Sequence, residues 1–147
     1  MARYILSGTT SLAAATAKTV VRWNSPASRK GGLVAFKIVD SKAGASDEGI
    51  RWRLMEGGTD GTGTAATPFP LNDTKASVGT AKIEYTVEPT GTTERLRGKL
   101  SAGGGDNPRF EGDEIIEFAH ASGLGIELLS TEARAANIVS WEATFAE

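Results

Sequence analysis

Alternation with a period of two limits what this chain can become more than any other feature. In Ile50-Arg51-Trp52-Arg53-Leu54-Met55 the residues Ile50, Trp52 and Leu54 share one face, and in Lys82-Ile83-Glu84-Tyr85-Thr86-Val87 so do Ile83, Tyr85 and Val87. Successive side chains of a strand point to opposite sides, so each segment reads as a strand with one wet face. Val34, Phe36 and Ile38 alternate within Gly32 to Val39. Leu96, Gly98 and Leu100 alternate with Arg95, Arg97 and Lys99, and Val139, Trp141, Ala143 and Phe145 are opposed by Ser140, Glu142 and Thr144. Weaker segments, Arg3 to Leu6, Thr19 to Trp23, Glu114 to His120 and Gly125 to Leu129, bring the expectation to about eight or nine strands.

Turn chemistry separates these segments at Asn24 to Gly32, Ser41 to Gly49, Gly57 to Pro70, Glu88 to Gly91 and Ser101 to Pro108. Short strands at such spacing predict an all-β fold, an antiparallel jelly roll or β-barrel-like sandwich with little helix. Helix is confined to two short candidates, Leu12 to Lys18 and Thr131 to Ala136. No internal repeat has a fixed period, which argues against a solenoid or propeller. At 147 residues the chain suits one domain, expected at residues 17–147. Residues 1–16 carry few strong core formers after Leu6 and read either as an N-terminal arm or as one more strand. An arm could be removed without unfolding the barrel.

Composition removes several functions. The chain has no cysteine and a single histidine, His120, so thiolate metal sites, disulfides and cysteine nucleophiles are excluded, and any common triad would have to pass through that one imidazole. The net charge of -2 does not suit a generic nucleic-acid binder. Charge is instead split along the chain: residues 1–75 carry ten Lys/Arg against six Asp/Glu, and residues 76–147 carry six against twelve. Such polarity suits association with a charged neighbour. The N-terminal apolar run is too short for a signal peptide, and no stretch approaches the roughly 18 apolar residues of a membrane span. No membrane partner is expected, and the product is expected to be made in a cytoplasm.

The candidate sites are weak. Gly57-Gly58-Thr59-Asp60-Gly61-Thr62-Gly63-Thr64 has the composition of a phosphate loop but lacks the lysine and the following helix, so it reads as an inter-strand loop. Asp106, Glu111, Asp113 and Glu114 could chelate calcium, but their spacing is not that of an EF-hand and a solvated acidic loop is the simpler reading. His120 reads as a strand residue near an edge or interface; as a general base it lacks an orienting carboxylate and a GxSxG nucleophile. Trp23, Trp52 and Trp141 could stack sugars, yet each lies in or beside an apolar set where burial is the default. Arg51, Arg53, Arg95, Arg97 and Lys99 lie on polar strand faces, more in keeping with solvent or an acidic surface than with nucleic acid. No catalytic residue, cofactor or metal is called for.

Several segments resemble small tailed-bacteriophage virion structural proteins of the head decoration (cement) type. They are Tyr4-Ile5-Leu6-Ser7-Gly8-Thr9-Thr10-Ser11-Leu12 with Thr16-Ala17-Lys18-Thr19-Val20-Val21, then Thr80-Ala81-Lys82 with Tyr85-Thr86-Val87-Glu88-Pro89-Thr90, and the closing Asn137-Ile138-Val139-Ser140-Trp141-Glu142-Ala143-Thr144-Phe145. The resemblance implies a non-enzymatic homotrimer, assembled in the host cytoplasm, that binds the major capsid protein on the capsid exterior and stabilises the head. It further implies that an N-terminal arm makes the contact, with Arg3, Tyr4, Ile5 and Leu6 as its first capsid-binding residues. No motif fixes the partner, so a tail or neck component stays open. The other readings are a carbohydrate-binding jelly roll, which needs an exposed tryptophan, and a small glycoside-active enzyme, which needs two carboxylates facing across a cleft.

Overall fold

The computed structural model describes residues 2–13, 15–40, 49–72, 74–100, 104–110, 112–130 and 137–147. Its strands are β1 (Arg3–Leu12), β2 (Ala17–Asn24), β3 (Gly31–Asp40), β4 (Ile50–Glu56), β5 (Thr62–Ala66), β6 (Phe69–Pro70), β7 (Thr80–Val87), β8 (Thr93–Leu100), β9 (Gly105–Asp106), β10 (Ile116–Phe118), β11 (Gly123–Ser130) and β12 (Asn137–Ala146). The helical content among the described residues is one 3-10 turn, Gly112–Glu114. All nine expected strands are present. The short β5, β6 and β9 were not anticipated, because two to five residues are too few to show a period.

Two antiparallel sheets result. One runs β10-β3-β12-β1-β6, with β9 also on β3, and the other runs β5-β7-β2-β11-β4-β8. The pairing is nested: β1 pairs β12, β2 pairs β11, β3 pairs β10 and β4 pairs β8. Thus the first strand meets the last, the second the next to last, and so inward. Between β4 and β8 the chain inserts β5, β6 and β7, which extend the same side of both sheets, β6 on β1 and β7 on β2.

The alternating apolar sets meet between the sheets. Trp23 of β2 is fully buried, stacked on Phe145 of β12 with centroids 5.3 Å apart and tilted against Tyr4 of β1 at 5.6 Å. Phe36 of β3 meets Trp52 of β4 edge to face at 4.8 Å. Each aromatic contact spans both sheets, so these rings hold one sheet on the other. All three indoles also lie against glycines. A Cβ at Gly8 would stand 2.9 Å from Trp141, one at Gly79 2.6 Å from Trp23, and one at Gly98 2.3 Å from Trp52. Gly8 and Gly98 sit directly across a ladder from their tryptophans. The ring takes the space that the glycine's absent side chain leaves.

Of the two readings left open for the first segment, residues 3–12 take the strand: Arg3, Tyr4, Ile5 and Leu6 open β1, which lies between β12 and β6. Tyr4 is 1% exposed and Leu6 6%, and releasing them would uncover Trp23 as well as strip one side of β12. No helix spans Leu12 to Lys18, because Leu12 ends β1 and Ala17 begins β2. The other helix candidate, residues 131–136, lies outside the described residues.

Deleting residues 1–10 should consequently abolish the cooperative unfolding transition and the near-ultraviolet circular dichroism of the packed aromatics; a truncated chain that keeps both would restore the arm. Trp52→Ala should cost about 3–5 kcal/mol by denaturant unfolding, and Gly98→Val should also destabilise, since its side chain has no room beside that indole. A neutral result for either would displace Trp52 from the core.

Candidate functional site

Several of the groups that could have carried chemistry are taken up by structural contacts. Asp106 accepts a hydrogen bond from Trp52 Nε1 at 2.8 Å and another from the Asn107 backbone N–H at 2.9 Å. Glu111 lies outside the described residues, and Glu114 is exposed. His120 sits not in a strand but in the turn after β10, exposed, with Nδ1 3.2 Å from the Ala27 carbonyl. The strand reading of Glu114 to His120 was too long because β10 stops at Phe118, the last large apolar residue of that run. Trp23, Trp52 and Trp141 are 0%, 4% and 5% exposed, so none offers a face to a sugar ring. Trp141 Nε1 donates to Thr10 Oγ1 at 3.2 Å.

The basic stripe is largely neutralised within its own sheet. Arg53 bonds to Glu127 on β11 and lies 3.7 Å from Glu94, Arg97 bonds to Glu94, and Arg95 bonds to Glu56. Cross-strand pairing places Arg53 between Glu127 and Arg97, and Glu94 reaches both guanidiniums. Exposed pairs of this kind contribute about 0–1 kcal/mol each, and they offset the charge of three of the five cations.

The glycine-rich loop has a different role from the one its composition suggests. Gly57 and Gly58 adopt φ of +75° and +69°, a left-handed conformation that glycine takes without strain, and they turn the chain back over β2. Arg22, 2% exposed on β2, lies under this turn and donates from Nη2 to the Gly57 carbonyl at 2.8 Å and from Nε to Asn24 at 2.9 Å. Asp60 then gathers four partners: Lys82 Nζ at 2.9 Å, the Tyr85 hydroxyl at 2.9 Å, Asn24 Nδ2 at 3.0 Å and Arg22 Nε at 3.6 Å. Burial pushes the Asp60 pKa up, but the hydrogen bonds from Lys82 and Tyr85 and the charges of Lys82 and Arg22 outweigh it, so it falls below the ordinary 3.8. Burial, then the bond to Asp60 and its charge, raises the Tyr85 hydroxyl well above its ordinary value. Loop 57–61 is therefore a clamp over a buried arginine. Sequence could not reveal it, because Arg22, Asp60, Lys82 and Tyr85 converge only through the pairing of β2 with β7.

A surface feature remains unexplained by folding. Of the exposed large apolar side chains, Phe69 (68%), Leu71 (51%), Val78 and Val87 belong to the β5–β7 insertion or the turns that join it. Phe69 pairs with Ile5 on β1, and the Leu71 N–H donates to the Arg3 carbonyl at 2.9 Å. Arg3 and Ile5 are half-buried, so their outer sides lie beside the exposed Phe69 and Leu71. Contiguous apolar surface of this kind marks interaction sites in soluble proteins.

No family model matches the chain, and no curated protein matches it. Among solved structures it is similar to a mutant VP2 protein of infectious bursal disease virus from derived T=1 particles, at 10% identity and a TM-score of 0.18, over 96% of this chain and 40% of that one. A TM-score that low carries no statement about fold or role.

Asp60→Asn tests the clamp. Removing one member of a buried charge pair costs about 3–5 kcal/mol, and a loss near the lower figure is expected at pH 7, because Asp60 keeps 25% exposure. A depressed carboxylate stabilises fully above its unfolded pKa and loses that contribution as pH falls through the folded value. Unfolding free energy of the parent should therefore drop below about pH 3.8 more steeply than that of the variant; parallel acid limbs would remove Asp60 from the network.

Proposed function

We propose that the chain is a jelly roll that works by adhesion as a non-enzymatic virion component, a head decoration protein that binds the outside of the major capsid lattice as a trimer. The nested order supports the jelly roll: a hairpin ribbon whose pairs are first with last, second with next to last, and so on, becomes two facing sheets when it is rolled, the architecture common among viral capsid and lectin domains. The observation that carries the adhesive role is the insertion, which presents Phe69 and Leu71 to solvent beside Arg3 and Ile5. The resemblance of the opening and closing segments to tailed-phage decoration proteins supplies the capsid as partner.

In this reading the capsid-binding residues at the N-terminus act in place rather than as an arm. Tyr4 and Leu6 anchor β1 in the core, while Arg3 and Ile5 contribute their outer sides to the contact. A trimer multiplies a modest patch through avidity, since each copy need contribute only a weak interaction. A sugar-binding role for the tryptophans loses its support because all three rings are interior.

Sedimentation of the purified chain with empty capsid shells of the same virus tests both halves of the proposal. The parent should sediment alone as a trimer and coat the shells. Phe69→Ser with Leu71→Ser should keep its unfolding midpoint, as exposed substitutions shift stability by only about 0.5 kcal/mol, yet leave the shells bare. A monomeric parent that ignores the shells, or a double variant that binds as well as the parent, would refute it.

A further inference from the structure

At the end of its sheet farthest from the β5–β7 insertion, β8 has a neighbour on one side only, β4. Leu96 to Leu100 pair with Leu54 to Ile50 without a break. Among the described residues no backbone group of Thr93–Leu100 bonds beyond that ladder, so a row of amides and carbonyls stands open to a further strand. Arg51 lies directly opposite Lys99 in the same ladder. Both are exposed, and neither pairs with a described carboxylate; they are the two cations that Glu56, Glu94 and Glu127 leave over. Like charges directly opposite each other are destabilising, so the fold keeps a repulsive pair beside an open edge. Arg97, on the same outer face, is 77% exposed. Leu96, on the inner face opposite Leu54, is 38% exposed because no strand follows to cover it.

We propose that the edge of β8 accepts an extended acidic segment of a partner protein as an added strand, with carboxylates at alternate positions and apolar residues between them. Strand addition draws affinity from backbone hydrogen bonds and specificity from alternate side chains. On the outer face the carboxylates stand opposite Arg97 and Lys99, with Arg51 one strand further in. On the inner face an apolar side chain covers Leu96. A second copy of β8 would bring the same cations to the contact, so the charge that favours an acidic strand excludes self-pairing. The break in register at Arg95 confines the added ladder to residues 96–100, since a bulge interrupts pairing. This edge is separate from the Phe69 surface and does not depend on the capsid reading.

Amide chemical shifts of the isotopically labelled chain test the edge, with a short blocked peptide in which glutamate alternates with valine as the probe. The controls are the same residues with the glutamates grouped at one end, a version with lysine in place of glutamate, and an oligothymidylate of equal charge. The alternating peptide alone should give saturable shifts at residues 96–100 and slow the hydrogen exchange of their amides. Arg51→Gln with Lys99→Gln should weaken that binding by about fivefold or more while the melting temperature holds or rises, because the substitutions also remove the repulsion between the two cations. Equal binding of the grouped peptide or the oligothymidylate would make this a nonspecific cationic surface and overturn the proposal. So would binding of the lysine peptide, no saturable shift at residues 96–100, or unchanged affinity in the double variant.

Discussion

The ladder between β1 and β12 is the contact on which the others rest. It joins Arg3 to Ala146 and continues for ten residue pairs to Leu12 and Asn137, so it brings the two ends of the described chain together in the middle of one sheet. Its inner faces carry Tyr4, Leu6, Val139, Trp141 and Phe145, which form much of the floor against which Trp23 packs. The ends are fastened again at the margin: Ala2 and Glu147 exchange backbone hydrogen bonds at 3.0 and 3.1 Å, and the Glu147 carboxylate accepts the N–H groups of Val78 and Gly79 at 2.6 and 2.8 Å. Gly79 is the glycine that makes room for the Trp23 indole. Terminal pairing, the turn before β7 and the central ring are therefore one connected arrangement.

Much of the fold could be read from the sequence because alternation reports directly on burial. Ile50, Trp52 and Leu54, and likewise Val139, Trp141, Ala143 and Phe145, are interior where the pattern put them. The pattern was weaker where a residue's surroundings came from a distant segment. Arg22 lies within a run from Thr19 to Trp23 that is buried throughout, because a loop 35 residues further on covers what would have been its wet face. Val87, counted among apolar residues of an inward face, is 57% exposed, since β7 bends at Glu84 and its later residues leave β2. Residues 1–16 were ambiguous for a related reason: serine, threonine and glycine give β1 little hydrophobic signal, and its place is fixed by the partner strand rather than by its own side chains.

The surface was the least legible part. Five cations on polar strand faces look alike in the sequence, yet three of them have carboxylate neighbours supplied by β4, β8 and β11. The exposed Phe69 and Leu71 flank a proline in a segment that read as loop, and only the pairing of β6 with β1 shows that they stand beside Ile5. Grouping of this kind follows from tertiary pairing, which the order of residues along the chain does not display.

Nesting also has a consequence for how the molecule comes into being. Because β12 lies between β1 and β3, neither of these early strands has its main partner until β12 has been made. Topologies dominated by distant pairing fold slowly, since loop closure must come before the contacts that reward it. A growing chain on the ribosome would hold the edges of β1 and β3 that face β12 unpaired until that strand emerges, a period in which β proteins are open to mispairing with their neighbours. The threonine, serine and lysine residues on the outer sides of these strands are suited to that interval, keeping an unfinished sheet in solution until its final strand arrives.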